Sequence, residues 1–403
     1  MSADAEPPCN DFSVDANPPE KIKEALADYS SGPNTIDIDT RRASTGETES
    51  IWPGRPARRS VIRSLVRNTD RRSGRSDSAP YRGNDSTSHT RRDLLTGDWT
   101  IFAPKRDERP NEYSALEAAG SVPSRRNISD DSLSREPGCP FCAGAEEQTP
   151  EAIWSAKLGD LTATPADAAT SRFGRPKVEV AQGSLTDWDV RVVPNKFPAV
   201  SPSNLAFRDQ IDRDELFPIN DVVGGHEVVI ESPVHAESMT QFDSSLIYLT
   251  LMAYRDRMLH WRGIDGIDYI SVFKNCGPDA GASLSHSHSQ LIATSLMPQQ
   301  VWTTLKRCES HRARTGCSLG CDLLRHEMSE KSRLIDRTDS FVAFCPFASR
   351  FAGLIRITSV AHQPQFETFS DSALDQLASF LWRVLTWVDA AFPGRAFNYL
   401  LHT

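Results

Sequence analysis

His286, Ser287, His288, Ser289 and Gln290 place two imidazoles and a carboxamide at every second position of one stretch. On an extended strand alternate residues face the same side, so these three side chains converge on one surface. The carboxamide of Gln290 adds a donor and an acceptor to the imidazoles. The preceding residues, Gly277 to Ser285, are small and polar, and Gly277 and Gly281 let the backbone approach a ligand closely. A phosphate fits among the backbone N–H groups of such a Gly/Ser loop, with an imidazole presented to it. The competing reading is a polar loop followed by a histidine-containing edge strand. The combination H-x-H-x-Q behind a Gly/Ser loop favours the catalytic one.

A second chemical signal lies at Cys139 and Cys142, in PGCPFC. C-x-x-C beside a glycine reads as half of a zinc knuckle. A redox pair is the alternative, but the strand–helix context of thioredoxin-like motifs is missing. Half a site needs two further ligands, and the chain holds only ten histidines. Arg106 and Arg109 follow the strand Trp99–Ala103, where a guanidinium forks well onto phosphate. Singly, surface arginines are usually only solubilising.

The elements that must position these groups are short strands and one helix. Trp188–Pro198 reads as a strand ending in a polar turn, with Asn195 where it opens. Gly224–Glu231 alternates as a second strand, and His235 follows its end. Asp268–Phe273 is the strand that leads into the central stretch, and Leu291-Ile292-Ala293 continues it into the core. Phe242–Arg262 predicts an amphipathic helix, with Leu246, Leu249, Leu251, Met252, Tyr254 and Leu259 on its apolar positions.

Composition bounds the rest. The chain has 403 residues, enough for two domains or one duplicated domain. A net charge of −9 gives no global signature for nucleic acid. No apolar run approaches membrane-spanning length. MSADAEPPCNDF has neither a basic start nor an apolar core, so a cytoplasmic location is expected, and the eight cysteines read as thiols or metal ligands. Residues 1–90 are rich in Ser, Asp, Pro and Gly and read as a disordered extension, with Arg-rich patches that could touch RNA or an acidic partner. Residues 115–134 read as a linker.

The chain also repeats itself. VIESPVH from Val229 matches IRITSVAH from Ile355, pairing His235 with His362. Strand 190–194 pairs with 342–346, and 268–272 with 397–401. The expected fold is α+β: two similar halves, each of antiparallel strands packed with a helix, at 91–300 and 301–403. At the same offset the counterpart of His288 lies past Thr403. The second half is therefore expected to carry no H-x-H of its own.

Together, RRDLLTGDWTIFAPKRDERP, CPFC, WDVRVVPNKFPA, GGHEVVIESPVH and NCGPDAGASLSHSHSQ resemble, in order, the galactose-1-phosphate uridylyltransferase family. This family is a duplicated branch of the histidine-triad superfamily, so the resemblance implies that the two halves, 91–300 and 301–403, are histidine-triad-like. The serines of SHSHSQ look more like the branch that includes plant ADP-glucose phosphorylase. The resemblance implies that His288 is a nucleophile attacking the α-phosphorus of a nucleotide-sugar, with Gln290 holding a phosphoryl oxygen. Imidazole suits this, being nucleophilic near pH 7 and a good leaving group from phosphorus. By the same resemblance Ser283 contacts the leaving hexose phosphate, while Asn195, Asn275, Arg106 and Arg109 contact the nucleotide. Cys139, Cys142, His235 and His286 match the family's structural Zn²⁺ ligands. Cys317, Cys321 and His362 could supply three ligands of a second, symmetry-related site, or be ordinary side chains at a turn.

The implied partners are a nucleotide-sugar and a sugar phosphate, with no membrane and no specific nucleic acid; a homodimer is compatible. The expected function is nucleotidylyl transfer from UDP-glucose to galactose 1-phosphate. ADP-glucose phosphorylase is the alternative, and a non-catalytic zinc- or nucleotide-binding derivative the rival from another class.

Overall fold

The computed structural model describes residues 36–39, 88–94, 98–113, 135–159, 178–202, 216, 219–349 and 353–402. Most of the expected disordered extension and the linker 115–134 lie outside them.

Fourteen strands form among the described residues. They are β1 (Ile36–Asp39), β2 (His89–Arg92), β3 (Trp99–Phe102), β4 (Trp154–Leu158), β5 (Val178–Ala181), β6 (Val190–Pro194) and β7 (Ile219–Asp221). After these come β8 (Gly224–Ile230), β9 (Tyr269–Cys276), β10 (His288–Thr294), β11 (Leu334–Arg337), β12 (Phe341–Phe344), β13 (Ile355–Ser359) and β14 (Phe397–Leu401). Eleven of them make one antiparallel sheet in the order β11-β12-β13-β1-β14-β9-β10-β8-β6-β4-β5. The remaining three, β3-β2-β7, form a small separate sheet.

The duplication is visible in that order. In one half β10 lies between β8 and β9, with β6 beyond β8. In the other, β13 and β14 take the places of β8 and β9, and β12 that of β6. The place of β10 is filled by β1, from the segment expected to be unstructured. Expected disorder over residues 1–90 is therefore corrected at Ile36–Asp39, whose I-D-I-D alternation suits a strand.

Each half contributes a helix to one face of the sheet: α1 (Ser244–Arg262) and, in the second, α4 (Asp371–Ala391). Asp243 caps α1 by accepting the Ser245 N–H at 2.5 Å, and Ser370 caps α4 through Ala373 N–H. In α1 the buried residues run unbroken from Ile247 to Tyr254, because α4 lies alongside it and the sheet beneath. A single apolar stripe is thus too narrow a description of α1. Leu259, expected on the buried face, is 49% exposed near the helix end. Two further helices, α2 (Gln299–Thr315) and α3 (Leu319–Glu330), separate the halves. α2 buries none of its residues, while α3 packs Leu324 against Val342 and Phe344.

β8 is buried along its whole length despite His226 and Glu227. Glu227 accepts from both Nε and Nη2 of Arg257, at 2.9 and 2.7 Å, and from Trp261 Nε1 at 2.6 Å. This charge-assisted fork ties α1 to the strand. Trp261 then lies over Gly225, where a Cβ would stand 2.0 Å from its ring. At Gly224, φ is +153° and a Cβ would meet the Ala293 carbonyl oxygen at 1.9 Å. The glycine pair lets β10 and α1 close onto β8. Gly225→Ala should destabilise the fold by about 1–3 kcal/mol through overpacking, because the bond to Glu227 holds the indole in place. Thermal and urea melts check this; an unchanged midpoint would mean that Trp261 yields.

Candidate active site and metal cluster

β10 begins at His288, so His286 sits just before the strand rather than in it. His286 Nε2–H donates to the Ser232 carbonyl at 3.0 Å, which turns Nδ1 toward the C-x-x-C turn. There Nδ1 lies 3.4 Å from Cys139 Sγ and 3.6 Å from Cys142 Sγ. His235 Nδ1 is 3.8 Å from Cys142 Sγ. The four ligand atoms all fall within 4.8 Å of one another.

A tetrahedral ion with metal–sulfur and metal–nitrogen bonds of zinc length would set such S···N separations near about 3.6 Å. The donor set and spacing therefore fit a cation. Burial, and next the neighbouring Cys142, push the Cys139 thiol up to about 12, a state that a bound cation reverses by taking thiolate. The second ring nitrogens are held as well. Ser285 Oγ stands 3.2 Å from His235 Nε2 and itself donates to Glu112 Oε2 at 2.9 Å. Such outer partners fix ring orientation at metal sites. Among the described residues this is the one such cluster. Cys321 Sγ and His362 Nδ1 meet at 3.2 Å, but Cys317 does not join them in a three-ligand group.

Phe141, inside the C-x-x-C turn, stands edge-on to both imidazoles, 6.0 Å from the His286 ring and 5.2 Å from that of His288. His288 Nδ1 lies 2.7 Å from the His286 carbonyl. A carbonyl only accepts, so Nδ1 carries the proton and Nε2 keeps its lone pair. Burial is the main cause that lowers the pKa of His288, so the neutral ring is favoured.

Gln290, the next same-side residue, accepts from His226 at 2.9 Å. The tautomer of His226 follows from its other nitrogen. Nδ1 faces two donors, the Ala199 N–H at 3.0 Å and Arg106 Nη1 at 3.3 Å. The proton must then sit on Nε2, which donates to Gln290 Oε1. With its oxygen so occupied, the Gln290 carboxamide has its NH₂ free to turn away from His226. Burial, then the Arg106 charge, lowers the His226 pKa to about 3.

Five other expected residues are held by neighbours along the adjoining strands and loops. Arg106 also donates to the Phe197 carbonyl at 3.0 Å, and the charge of Arg109 acts on both Arg106 and His226. Asn195 accepts the Phe197 N–H at 2.9 Å, and its backbone N–H donates to the His226 carbonyl. Asn275, on β9, accepts from Asn398 Nδ2 of β14 at 2.7 Å. Asn398 donates in addition to the Ala280 carbonyl at 2.8 Å, holding the Gly/Ser loop. On that loop the Ser283 carbonyl accepts the Glu112 N–H at 3.0 Å.

The opposite face of the same stretch carries a polar layer that the motif did not reveal. Lys274 Nζ donates to Glu231 Oε2 at 2.5 Å, Ser287 Oγ at 2.9 Å and the His288 carbonyl at 3.1 Å. Tyr254 of α1 donates to Ser289 Oγ at 2.6 Å and meets the Tyr399 hydroxyl of β14 at 2.5 Å. His226, Glu112, Lys274 and Glu231 were all passed over in the sequence. The available signals were Ser287 and Ser289 alternating with the histidines, and a lysine inside an otherwise buried strand.

His226 has a consequence for stability that needs no ligand. The unfolded imidazole binds a proton near about pH 6.5. The folded one resists it down to about 3. Between those values the unfolded state holds more protons, so stability falls as pH falls. His226→Gln keeps an Nε donor but cannot take that proton. Urea midpoints from pH 7 to 4 should therefore decline less steeply in the variant; parallel declines would remove His226 as a cause.

The chain as a whole is similar to known proteins. The sequence model of the galactose-1-phosphate uridyl transferase N-terminal domain matches residues 162–298. ADP-glucose phosphorylase of Arabidopsis thaliana is 29% identical over 337 residues, covering 83% of this chain and 82% of its own. Galactose-1-phosphate uridylyltransferase of Kluyveromyces lactis is 23% identical over 312 residues, 76% of this chain and 74% of its own. The X-ray structure of a GalT-like protein from Arabidopsis thaliana matches at 30% identity and a TM-score of 0.52, over 67% of this chain and 76% of that one. No helix among the described residues is long and apolar enough to cross a membrane. The chain belongs to the galactose-1-phosphate uridylyltransferase family of nucleotidyltransferases.

Proposed function

We propose that this protein transfers a nucleoside monophosphate from a nucleotide-sugar to a phosphate acceptor through a covalent nucleotidyl-His288. The observation that carries this is the His288 Nδ1 bond to the His286 carbonyl, which leaves Nε2 as the nucleophile. The Nε2 lone pair attacks the α-phosphorus; a P–N bond forms, and the bond to the bridging oxygen of the hexose 1-phosphate breaks. In the second step an acceptor phosphate oxygen attacks the same phosphorus and the P–N bond breaks. The positive charge of the intermediate imidazolium is met by the same carbonyl at Nδ1.

Gln290 donates its NH₂ to a non-bridging oxygen, where charge builds in both steps. His226 fixes that orientation by occupying Gln290 Oε1. Arg106 and Arg109 clamp the phosphates, Asn195 and Asn275 position the nucleotide, and Ser283 meets the leaving hexose phosphate. Cys139, Cys142, His235 and His286 hold Zn²⁺, which fixes the backbone on which His288 is aimed.

ADP-glucose as donor, with inorganic phosphate as acceptor, is the pairing we favour. Its support is the higher identity to the Arabidopsis phosphorylase over a longer span than to the Kluyveromyces uridylyltransferase. UDP-glucose with galactose 1-phosphate is the second reading, supported by the uridylyltransferase relatives themselves.

Separate incubation with ADP-glucose and UDP-glucose labelled at the α-phosphorus decides between them. Acid-labile label should reach the protein from ADP-glucose and vanish in His288→Asn. Label retained by that variant excludes His288. His226→Leu should slow loading about 100-fold, as loss of an aimed oxyanion donor does, whereas His226→Gln should keep most of the rate. Equal loss in both variants would deny His226 its orienting role.

Protein purified without added metal should contain about one zinc per chain, as a closed Cys₂His₂ site does. Cys142→Ser should lose the metal and melt lower, since site binding energy is folding energy. Metal-free protein with unchanged stability would refute the zinc assignment.

A further inference from the structure

The sheet order carries an inference that the family relationship does not. β10 pairs antiparallel with β8 on one side and β9 on the other. β1 pairs antiparallel with β13 on one side and β14 on the other. The two placements are equivalent, yet one strand belongs to its own half and the other comes from residue 36. We propose that Ile36–Asp39 is a donor strand: it completes the second half of the sheet in cis and, by fixing β14, supports the loop beside His288.

Three observations support this. First, the pairing is two-sided. Ile36 stands opposite Ile357 and Leu401, Asp37 opposite Arg356 and Leu400, and Ile38 opposite Ile355 and Tyr399. Second, the slot lies within the core. Ile355, Ile357, Tyr399 and Leu401 are each buried, and a strand missing between β13 and β14 would strand two rows of backbone donors and acceptors there. Such rows demand partners. Third, β14 touches the site directly. Asn398, opposite Asp39, grips Asn275 and Ala280, and Tyr399 meets Tyr254 at 2.5 Å above Ser289. One strand therefore separates the N-terminal segment from the residues around His288.

The slot is a β-augmentation site, which recognises an extended segment chiefly by its main chain. The occupant named by the pairing is residues 36–39 of the same molecule.

Hydrogen exchange on the full-length chain tests this without reference to any activity. Amides at 36–39, 355–359 and 397–401 should be protected together. A full-length Ile36→Pro/Ile38→Pro variant cannot complete the ladder, since proline lacks the donor N–H. Its amides at 355–359, 397–401 and 275–281 should exchange about tenfold faster or more, as for local opening. A synthetic peptide of residues 33–42 added to the variant should restore slow exchange. Free exchange at 36–39 in the unmodified protein would overturn the proposal even if the variant does not fold. Unchanged exchange at 355–359 and 397–401 in the variant would do the same. Protection that rises with protein concentration would give the slot to a strand from a second copy and refute the assignment in cis.

Discussion

Beneath His288 lies a buried ion pair on which the rest of the site depends. Lys274 and Glu231 are each almost wholly shielded from water, with side-chain exposures of 1% and 0%. Neither charge is tolerable there alone; breaking such a pair typically costs about 3–5 kcal/mol. The pair is useful because Lys274 spends its remaining donors on Ser287 Oγ and the His288 carbonyl. The backbone on which His288 stands is thus gripped from below by a cation that cannot leave. Tyr254 and Tyr399 extend the grip to α1 and β14, so both halves of the sheet converge under one short stretch.

The upper face is arranged by a different rule: each imidazole has one nitrogen fixed by a backbone group, and that sets what the other nitrogen presents to its neighbours. His286 gives Nε2–H to Ser232 and keeps Nδ1 for the thiols. His288 gives Nδ1–H to His286 and keeps Nε2. His226 accepts at Nδ1 and donates its Nε2–H to Gln290 Oε1. Three rings of one residue type are thereby set for three tasks by which backbone group each one meets.

Much of this was legible in the sequence, for reasons that can be named. Residues joined by short spacing, such as His286-x-His288-x-Gln290 and Cys139-x-x-Cys142, declare a shared surface through local geometry. His235 was legible only through the family resemblance, because 93 positions separate it from Cys142. What stayed hidden depends on contacts remote along the chain. Glu112 reaches Ser285 across 173 positions, and His226 reaches Gln290 across 64. His226 also looked like one more residue of an alternating strand, since its value lies in a tautomer that only its neighbours define. β1 was hidden for another reason. Four residues amid polar sequence are too few for periodicity to register, and their strand exists only because β13 and β14 leave a place for it. Leu259 shows the converse error: an apolar residue at helical spacing remains exposed where the helix runs past the sheet.

The spacer of the C-x-x-C turn holds more meaning than its two wildcards suggest. Phe141 stands edge-on to two rings, one of which faces the thiols of the cluster. A relative with both cysteines intact but a small residue at this position would pass any motif search while lacking this ring. Reading such a family by its ligands alone would then count as alike two sites whose imidazoles meet an aromatic neighbour in one and not in the other.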